Sequence, residues 1–97
     1  MPFWVYILRC ADGSYYTGHT DDLDGRVAQH CSGSIDGYTA MRLPVRLVFA
    51  QECASRDAAL AAELQIKGWT RRKKEALIRN DWGAVRRFAR GRDREKP

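Results

Sequence analysis

An uninterrupted apolar run at residues 3–8 (FWVYIL) constrains the fold more than any other stretch of the chain. Its β-branched and aromatic side chains predict a β-strand. Residues 11–14 (ADGS) predict a turn, and residues 15–18 (YYTG) begin a second strand. The chain is therefore expected to start with a β-hairpin that carries one candidate tyrosine on each strand, Tyr6 and Tyr16.

The length of the hairpin loop decides whether Tyr6 and Tyr16 lie on the same face. Directly opposed residues of a hairpin have a constant sum of residue numbers, so the tyrosines share a face only if the loop is odd in length. A two-residue turn at Asp12-Gly13 would separate them. A three-residue loop at residues 11–13 would unite them and would place Gly13 in the left-handed conformation. Both loops are locally allowed.

Size and composition limit the classes of protein to which the chain can belong. The 97 residues, of which 44% are hydrophobic, predict one domain at residues 1–90 followed by a charged tail at residues 91–97. No stretch approaches the roughly 18 apolar residues of a membrane span, and no signal segment is apparent. The three cysteines are widely spaced, which favours reduced thiols in the cytoplasm.

Charge is distributed unevenly along the chain. Residues 1–66 hold 5 Lys/Arg and 8 Asp/Glu, whereas residues 67–97 hold 12 Lys/Arg and 4 Asp/Glu. A basic carboxyl-terminal third indicates a polyanionic partner, most commonly nucleic acid, although a solvated helical surface would have the same composition. The candidate nucleic-acid contacts are Lys67, Arg71, Arg72, Lys73, Lys74, Arg86 and Arg87.

The middle of the chain alternates between helix and strand signals. A helix is expected at residues 22–31, with Leu23, Val27 and Cys31 as its buried stripe and Gly25 as a weak point. After a loop, the apolar residues 45–50 predict a third strand, which we expect to lie inside the sheet or to be well covered.

The second half of the chain is predicted to be helical. Ser55 caps a helix at residues 56–67, whose apolar surface comes from Ala58, Ala61, Leu64 and Ile66. Thr70 caps a further helix that ends near residue 79, and residues 82–88 form a short helix or helical turn. The fold class is therefore α+β, a three-stranded antiparallel sheet flanked by helices in the order β-β-α-β-α-α.

A small set of polar residues suits phosphodiester chemistry. Glu63 could hold one Mg²⁺, which binds through one or two carboxylates and keeps several waters. Arg26 could meet charge that develops on a phosphate. Tyr6, Tyr16 or His30 could take a proton from an attacking water. Each also has a simpler explanation: cross-strand packing for the tyrosines, a solvated helix residue for Arg26, an exposed i, i+4 pair with Lys67 for Glu63 and a capping or surface role near the helix end for His30.

Taken together, these residues resemble the GIY-YIG nuclease family. The signature elements are present as Trp4-Val5-Tyr6 and Tyr16-Thr17-Gly18, followed by Arg26, by His30 four residues later and by Glu63 on the later helix. Trp4-Val5 and Thr17 depart from the family triplets. His19 stands where a small residue is usual, and it could add a second imidazole to the site or crowd it. The resemblance covers residues 3–79 and favours the odd hairpin loop, because it requires a shared site.

The resemblance implies a mechanism and a partner. Tyr6 is the favoured base, assisted by His30, while Tyr16 orients the phosphate or the water. Arg26 stabilises charge, and Glu63 binds one Mg²⁺ or Mn²⁺. The Tyr6 hydroxyl, the Arg26 guanidinium and the Glu63 carboxylate should then line one open groove.

The expected activity is that of a cytoplasmic, metal-dependent endonuclease that cleaves DNA, with a role in DNA repair or recombination. The alternatives are a non-catalytic nucleic-acid-binding module and an accessory protein whose partner supplies specificity. In the latter case, exposed Trp69, Trp82 and Phe88 would mark the partner interface.

Overall fold

The computed structural model describes residues 2–35 and 37–87 and has the predicted α+β fold. Its elements are β1 (Phe3–Arg9), β2 (Tyr15–Thr20), α1 (Leu23–Ser32), α2 (Gly37–Ala40), β3 (Arg46–Cys53), α3 (Arg56–Lys67) and α4 (Arg71–Ile78). Residues 82–87 are also helical, while Phe88 and the predicted tail at residues 91–97 lie outside the described residues. Among the described residues, those up to Lys67 and those from Gly68 to residue 87 form two separate compact units. In the described part of the chain, no helix is both long and apolar enough to cross a membrane.

The hairpin of β1 and β2 has the odd loop. Tyr6 is paired with Gly18 and Leu8 with Tyr16, so Tyr6 and Tyr16 lie on one face of the sheet. The Gly13 N–H donates to the Cys10 carbonyl over 2.9 Å, and Gly13 has a φ of 85°. A side chain is costly in this left-handed conformation, which explains the glycine. The predicted register is confirmed.

The sheet order is β2-β1-β3, which makes β1 the central strand. The expectation that β3 lies inside the sheet is wrong: β3 is an edge strand, and none of its residues is fully buried. In β1, by contrast, four consecutive residues from Val5 to Leu8 are buried. A continuous apolar run is typical of a strand covered on both faces, and β1 has such a run.

Helices cover both faces of the sheet. On one face, Tyr6 and Leu8 belong to the core, and Leu23 and Val27 of α1 pack against it. Cys31 is exposed, so its predicted place in the buried stripe of α1 is wrong; the neighbouring His30 is buried instead.

The other face of the sheet carries Val5 and its cross-strand partner His19. The helix α3 lies on this side, because Glu63 of α3 contacts His19. The buried residues of α3 are Ala59, Glu63 and Ile66. Of the apolar surface predicted for α3, only Ile66 is therefore buried.

Side-chain caps fix the ends of the helices. Asp22 accepts a hydrogen bond from the Gly25 N–H at the start of α1. Gly33 ends this helix with a φ of 76°. The Ser55 hydroxyl accepts from the Ala58 N–H at the start of α3, and the Thr70 hydroxyl accepts from the Lys73 N–H at the start of α4. These caps satisfy backbone donors that have no partner within the helix. The predicted roles of Ser55 and Thr70 are confirmed.

Candidate active site

A buried chain of hydrogen bonds joins β1, α1 and α2. The Tyr6 hydroxyl lies 3.0 Å from Nε2 of His30, and Nδ1 of His30 lies 2.8 Å from the Thr39 hydroxyl. All three side chains are at most 1% exposed. The surface or capping role considered for His30 is therefore wrong. It is buried in the core instead, where it bonds to Tyr6 and Thr39.

Aromatic rings continue this cluster towards the surface. The Tyr16 ring is half-buried and packs 4.9 Å from the His30 ring and 6.4 Å from the Tyr6 ring, measured between centroids. Its other neighbour is the exposed Tyr38, at 6.3 Å. Tyr16 is therefore the more accessible of the two signature tyrosines.

Gly18 makes room for the Tyr6 hydroxyl. A Cβ atom at position 18 would lie 2.5 Å from Oη and 2.7 Å from Cζ of Tyr6. Side chains do not pack this closely, so only glycine lets the phenol cross β2 here and reach His30. This contact is a physical reason for the glycine that follows Tyr16-Thr17 in the sequence.

The Glu63 carboxylate is held by two neighbours. Oε1 lies 2.6 Å from Nδ1 of His19, and Oε2 lies 2.7 Å from Nζ of Lys67, which confirms the predicted i, i+4 pair. Burial by itself would raise the pKa of Glu63, but the hydrogen bonds and charges of Lys67 and His19 outweigh it. The net effect lowers the pKa of Glu63 below 4.5, so the group is an ionised carboxylate at neutral pH.

Arg26 is half-buried on α1 and lines a surface cavity of about 140 Å³. The cavity is also lined by His19, by the acidic Asp21 and by Arg56 at the start of α3. Arg26 makes no ion pair with any residue that the structure describes. Its positive charge is therefore available to an anion that enters this cavity.

The structure brings the candidate residues together in two groups on opposite faces of β2. One group is Tyr6, Tyr16 and His30, and the other is Glu63 with His19. The groups adjoin at consecutive residues of β2, because Tyr6 lies over Gly18 and His19 points to the other face. The expectation of one open groove is wrong for Tyr6, which is only 1% exposed.

The sequence left open whether His19 joins the site or crowds it, and it assigned no role to Thr39. His19 is 44 residues away from Glu63, and Thr39 is nine residues away from His30. The only available signal for His19 was its unusual position directly after the second motif. Thr39 lies in α2, within a stretch whose composition predicts a loop, so nothing in the sequence indicated a buried hydroxyl there.

The basic residues of the carboxyl-terminal unit differ in accessibility. Lys73 is only 8% exposed, and its ammonium group lies 4.1 Å from the centre of the Trp69 ring, so it offers little surface to a partner, and its role as a nucleic-acid contact stays a prediction. Lys74 is half-buried, and burial together with the charge of Arg71 lowers its pKa. The exposed residues are Arg71 (paired with Glu75), Arg72, Arg86 and Arg87. Lys67, in the other unit, is bound to Glu63.

The aromatic residues proposed for a partner interface differ in solvent exposure. Trp82 is exposed and Trp69 is half-buried. The Trp82 indole N–H donates to the Asn80 side chain over 2.9 Å, which orders the ring locally. Of the two, only Trp82 presents a large apolar surface to solvent.

Glu63 fits a hard divalent cation that keeps most of its waters. Its carboxylate is ionised, and a carboxylate has about four lone-pair positions, of which His19 and Lys67 use two. Among the described residues no cluster of three or more His, Cys, Asp and Glu could enclose an ion. The donor set therefore suits Mg²⁺ bound through a single carboxylate.

The fold and these motifs define the class of protein. A family model described as the GIY-YIG catalytic domain matches residues 2–76, and the chain belongs to the GIY-YIG family. Its sequence is 49% identical over 76 residues to a UPF0213 protein of Lacticaseibacillus paracasei. The matched segment covers 78% of this chain and 85% of that protein. It is also 42% identical over 80 residues to a UPF0213 protein of Natronomonas pharaonis, and this match covers 82% of this chain and 94% of that protein.

Two solved structures have the same fold. The solution NMR structure of the UPF0213 protein BH0048 from Bacillus halodurans is 46% identical and has a TM-score of 0.53, with 80% of this chain and 83% of that chain covered. The solution NMR structure of the protein EF2693 from E. faecalis is 33% identical and has a TM-score of 0.57, with 82% and 85% covered. Small proteins that consist mainly of this domain are therefore the relatives of this chain.

Proposed function

We propose that the protein is a metal-dependent endonuclease that hydrolyses phosphodiester bonds in DNA. The observation that carries the proposal is that consecutive residues of β2 serve the two motif groups. The Tyr6 phenol lies over Gly18 and reaches His30, and His19 contacts Glu63 from the opposite face. Membership of the GIY-YIG family supports it, because the family is generally one of endonucleases that act on nucleic acid. We also propose that residues 1–90 act as one domain.

Each residue has a role that follows from its surroundings. Tyr6 is the general base, and His30 accepts its proton through Nε2. The more accessible Tyr16 orients the phosphate or the attacking water. Because Tyr6 is buried, this mechanism requires the water to enter beside its hydroxyl when the substrate binds.

The charged residues act on the phosphate. Arg26 faces the cavity that it shares with His19, and there it would stabilise the negative charge of the transition state. Glu63, positioned by His19, would hold Mg²⁺ or Mn²⁺. When bound, such an ion supplies positive charge for the phosphate and the leaving oxygen. Exposed arginines of the carboxyl-terminal unit would add salt-sensitive contacts that do not depend on base sequence.

We propose the cytoplasm as the compartment and DNA repair or recombination as the setting. Among the described residues, Cys10, Cys31 and Cys53 form no disulfide, which supports a reducing compartment. A protein partner could supply specificity, and the exposed Trp82 is the best candidate among the described residues for its contact.

Cleavage of supercoiled, branched and single-stranded DNA, with Mg²⁺ and with EDTA, tests the proposal. We expect Mg²⁺-dependent cleavage by the wild type and a loss of roughly 100-fold or more in Arg26→Ala and Glu63→Gln. Glu52→Gln is the matched control, because Glu52 is an exposed glutamate on β3, and it should cleave like the wild type. Equal activity of Glu63→Gln and the wild type would refute the nuclease assignment.

The second candidate function is a non-catalytic nucleic-acid-binding module. It is favoured by the burial of Tyr6 and His30 and by the contacts of Lys67 and His19 with both Glu63 oxygens. Such a module would bind DNA equally well with Mg²⁺ and with EDTA, and no substrate would be cleaved. Binding and cleavage measured on the same DNA therefore separate the two functions.

A further inference from the structure

We propose that Thr39 is a positioning residue that sets the tautomer of His30 and, through it, the direction in which the Tyr6 proton moves. This inference rests on the proposed function. Thr39 is completely buried in α2, and its hydroxyl lies 2.8 Å from Nδ1 of His30 and 3.4 Å from the carbonyl oxygen of Ile35. On the other side of the ring, Nε2 lies 3.0 Å from the Tyr6 hydroxyl.

Counting protons over these three described contacts gives a consistent set of donors. The Ile35 carbonyl can only accept, so the single Thr39 proton is donated to it. The Thr39 oxygen must then accept from His30, which places the imidazole proton on Nδ1. Nε2 is left with a lone pair and accepts from the Tyr6 O–H. For a neutral imidazole, this assignment satisfies all three contacts.

The opposite tautomer would stop the proposed chemistry. With a proton on Nε2, His30 would donate to Tyr6 and could not accept the phenol proton. Thr39 would have to donate to Nδ1, and the Ile35 carbonyl would lose its contact. Thr39 therefore decides whether His30 is able to act on Tyr6.

The proton moves from Oη of Tyr6 to Nε2 of His30, and the O–H electron pair stays on Oη. The imidazolium keeps its Nδ1–H bond to Thr39. Oη then takes a proton from water, whose oxygen forms a bond to phosphorus while the bond from phosphorus to the ester oxygen breaks. The leaving oxygen departs with that electron pair and takes a proton from bulk water, and His30 returns its extra proton to bulk water.

Two-dimensional ¹H–¹⁵N spectra of the histidine side chains, recorded near neutral pH, report the tautomer directly. In the wild type we expect a protonated Nδ1 and an unprotonated Nε2 at His30. Thr39→Val, which lacks the hydroxyl, should lose this pattern, and cleavage should fall on the order of 10-fold to 100-fold. Thr39→Ser keeps a hydroxyl and should restore both the spectrum and the cleavage rate.

Thr17→Val is the matched control. Thr17 is also a buried threonine of the sheet region, but its hydroxyl has no hydrogen-bond partner among the described residues. This variant should therefore keep the wild-type His30 spectrum and cleavage rate. A similar loss in Thr17→Val would show a general packing effect and would overturn the proposal.

The remaining outcomes separate this inference from the proposed function. A wild-type His30 protonated on Nε2 overturns the inference without using any variant. Unchanged cleavage by a Thr39→Val protein whose tautomer has reversed also overturns it, while the nuclease assignment stands. A wild type that cleaves no DNA but has the expected nitrogen pattern refutes the proposed function and supports the tautomer assignment.

Discussion

Replacing Gly18 with alanine tests how tightly the sheet holds Tyr6. The added Cβ would lie 2.5 Å from Oη, 2.7 Å from Cζ and 3.1 Å from Cε2 of Tyr6. The first two distances are too short for any side-chain contact, so the ring or the strand must move. The ring has little freedom, because it is only 1% exposed and packs within the core beside Leu8 and Val27.

The expected loss of stability has two parts. Forcing an extra methyl group into a well-packed core costs about 1–3 kcal/mol. Moving the phenol away from His30 leaves buried polar groups unpaired, which costs a further ~1–3 kcal/mol. We therefore expect Gly18→Ala to lower the free energy of unfolding by roughly 2–6 kcal/mol, which is a large part of the typical ~5–15 kcal/mol for a domain.

Urea unfolding followed by circular dichroism measures this loss. Gly37→Ala is the matched control, because a Cβ at position 37 would meet nothing within 4 Å. Its free energy of unfolding should change by no more than about 1 kcal/mol. The same Gly18→Ala change should cost at least ~1 kcal/mol less in a Tyr6→Leu background, which lacks Oη and Cζ.

Two results would refute this reasoning. The first is a Gly18→Ala protein within about 0.5 kcal/mol of the wild type, which is the range of an ordinary surface substitution. The second is an equal cost of Gly18→Ala in the wild-type and Tyr6→Leu backgrounds, because the contact with the phenol would then be irrelevant.

Two further predictions concern Glu63. Its pKa is lowered in the folded protein, so its pairing contributes stability above the ordinary value of 4.5, and this contribution is lost as the pH falls through the lower folded pKa. The difference in unfolding free energy between the wild type and Glu63→Gln should thus shrink in urea titrations below pH 4.5, and a constant difference would contradict the pairing. Lys67→Met removes a competing cation 2.7 Å from Oε2, so Mn²⁺ titrated by calorimetry should bind several-fold more tightly than to the wild type. Unchanged or weaker binding would remove Glu63 from the metal site.

Local signals in the sequence were sufficient for the elements and for the hairpin register. Ser55 and Thr70 mark helix starts because their hydroxyls replace missing backbone partners. Gly13 marks an odd loop because only glycine adopts its positive φ without cost. Each of these signals depends on neighbours within a few residues, which a single sequence records directly.

Long-range packing explains what the sequence did not reveal. The apolar content of β3 does not distinguish an edge strand from a central one, because strand order depends on pairing with β1. The i, i+4 spacing of Leu23, Val27 and Cys31 predicted a buried stripe. In the structure α1 is instead turned so that His30 faces the core and bonds to Tyr6, while Cys31 is exposed. A polar residue can replace an apolar one in a core when its hydrogen bonds are satisfied, and the spacing of apolar residues does not reveal such a replacement.

The alternation of β2 explains how one strand can serve both halves of the candidate site. Gly18 leaves space on one face, into which the Tyr6 phenol extends to reach His30. The next residue of a strand necessarily points to the opposite face, so His19 meets Glu63 of α3 there. A shift of one residue in the β1–β2 register would bring a side chain under the phenol and would turn His19 away from Glu63. The three-residue loop that ends at Gly13 therefore does more than close the hairpin, because it sets the register on which both halves of the site depend.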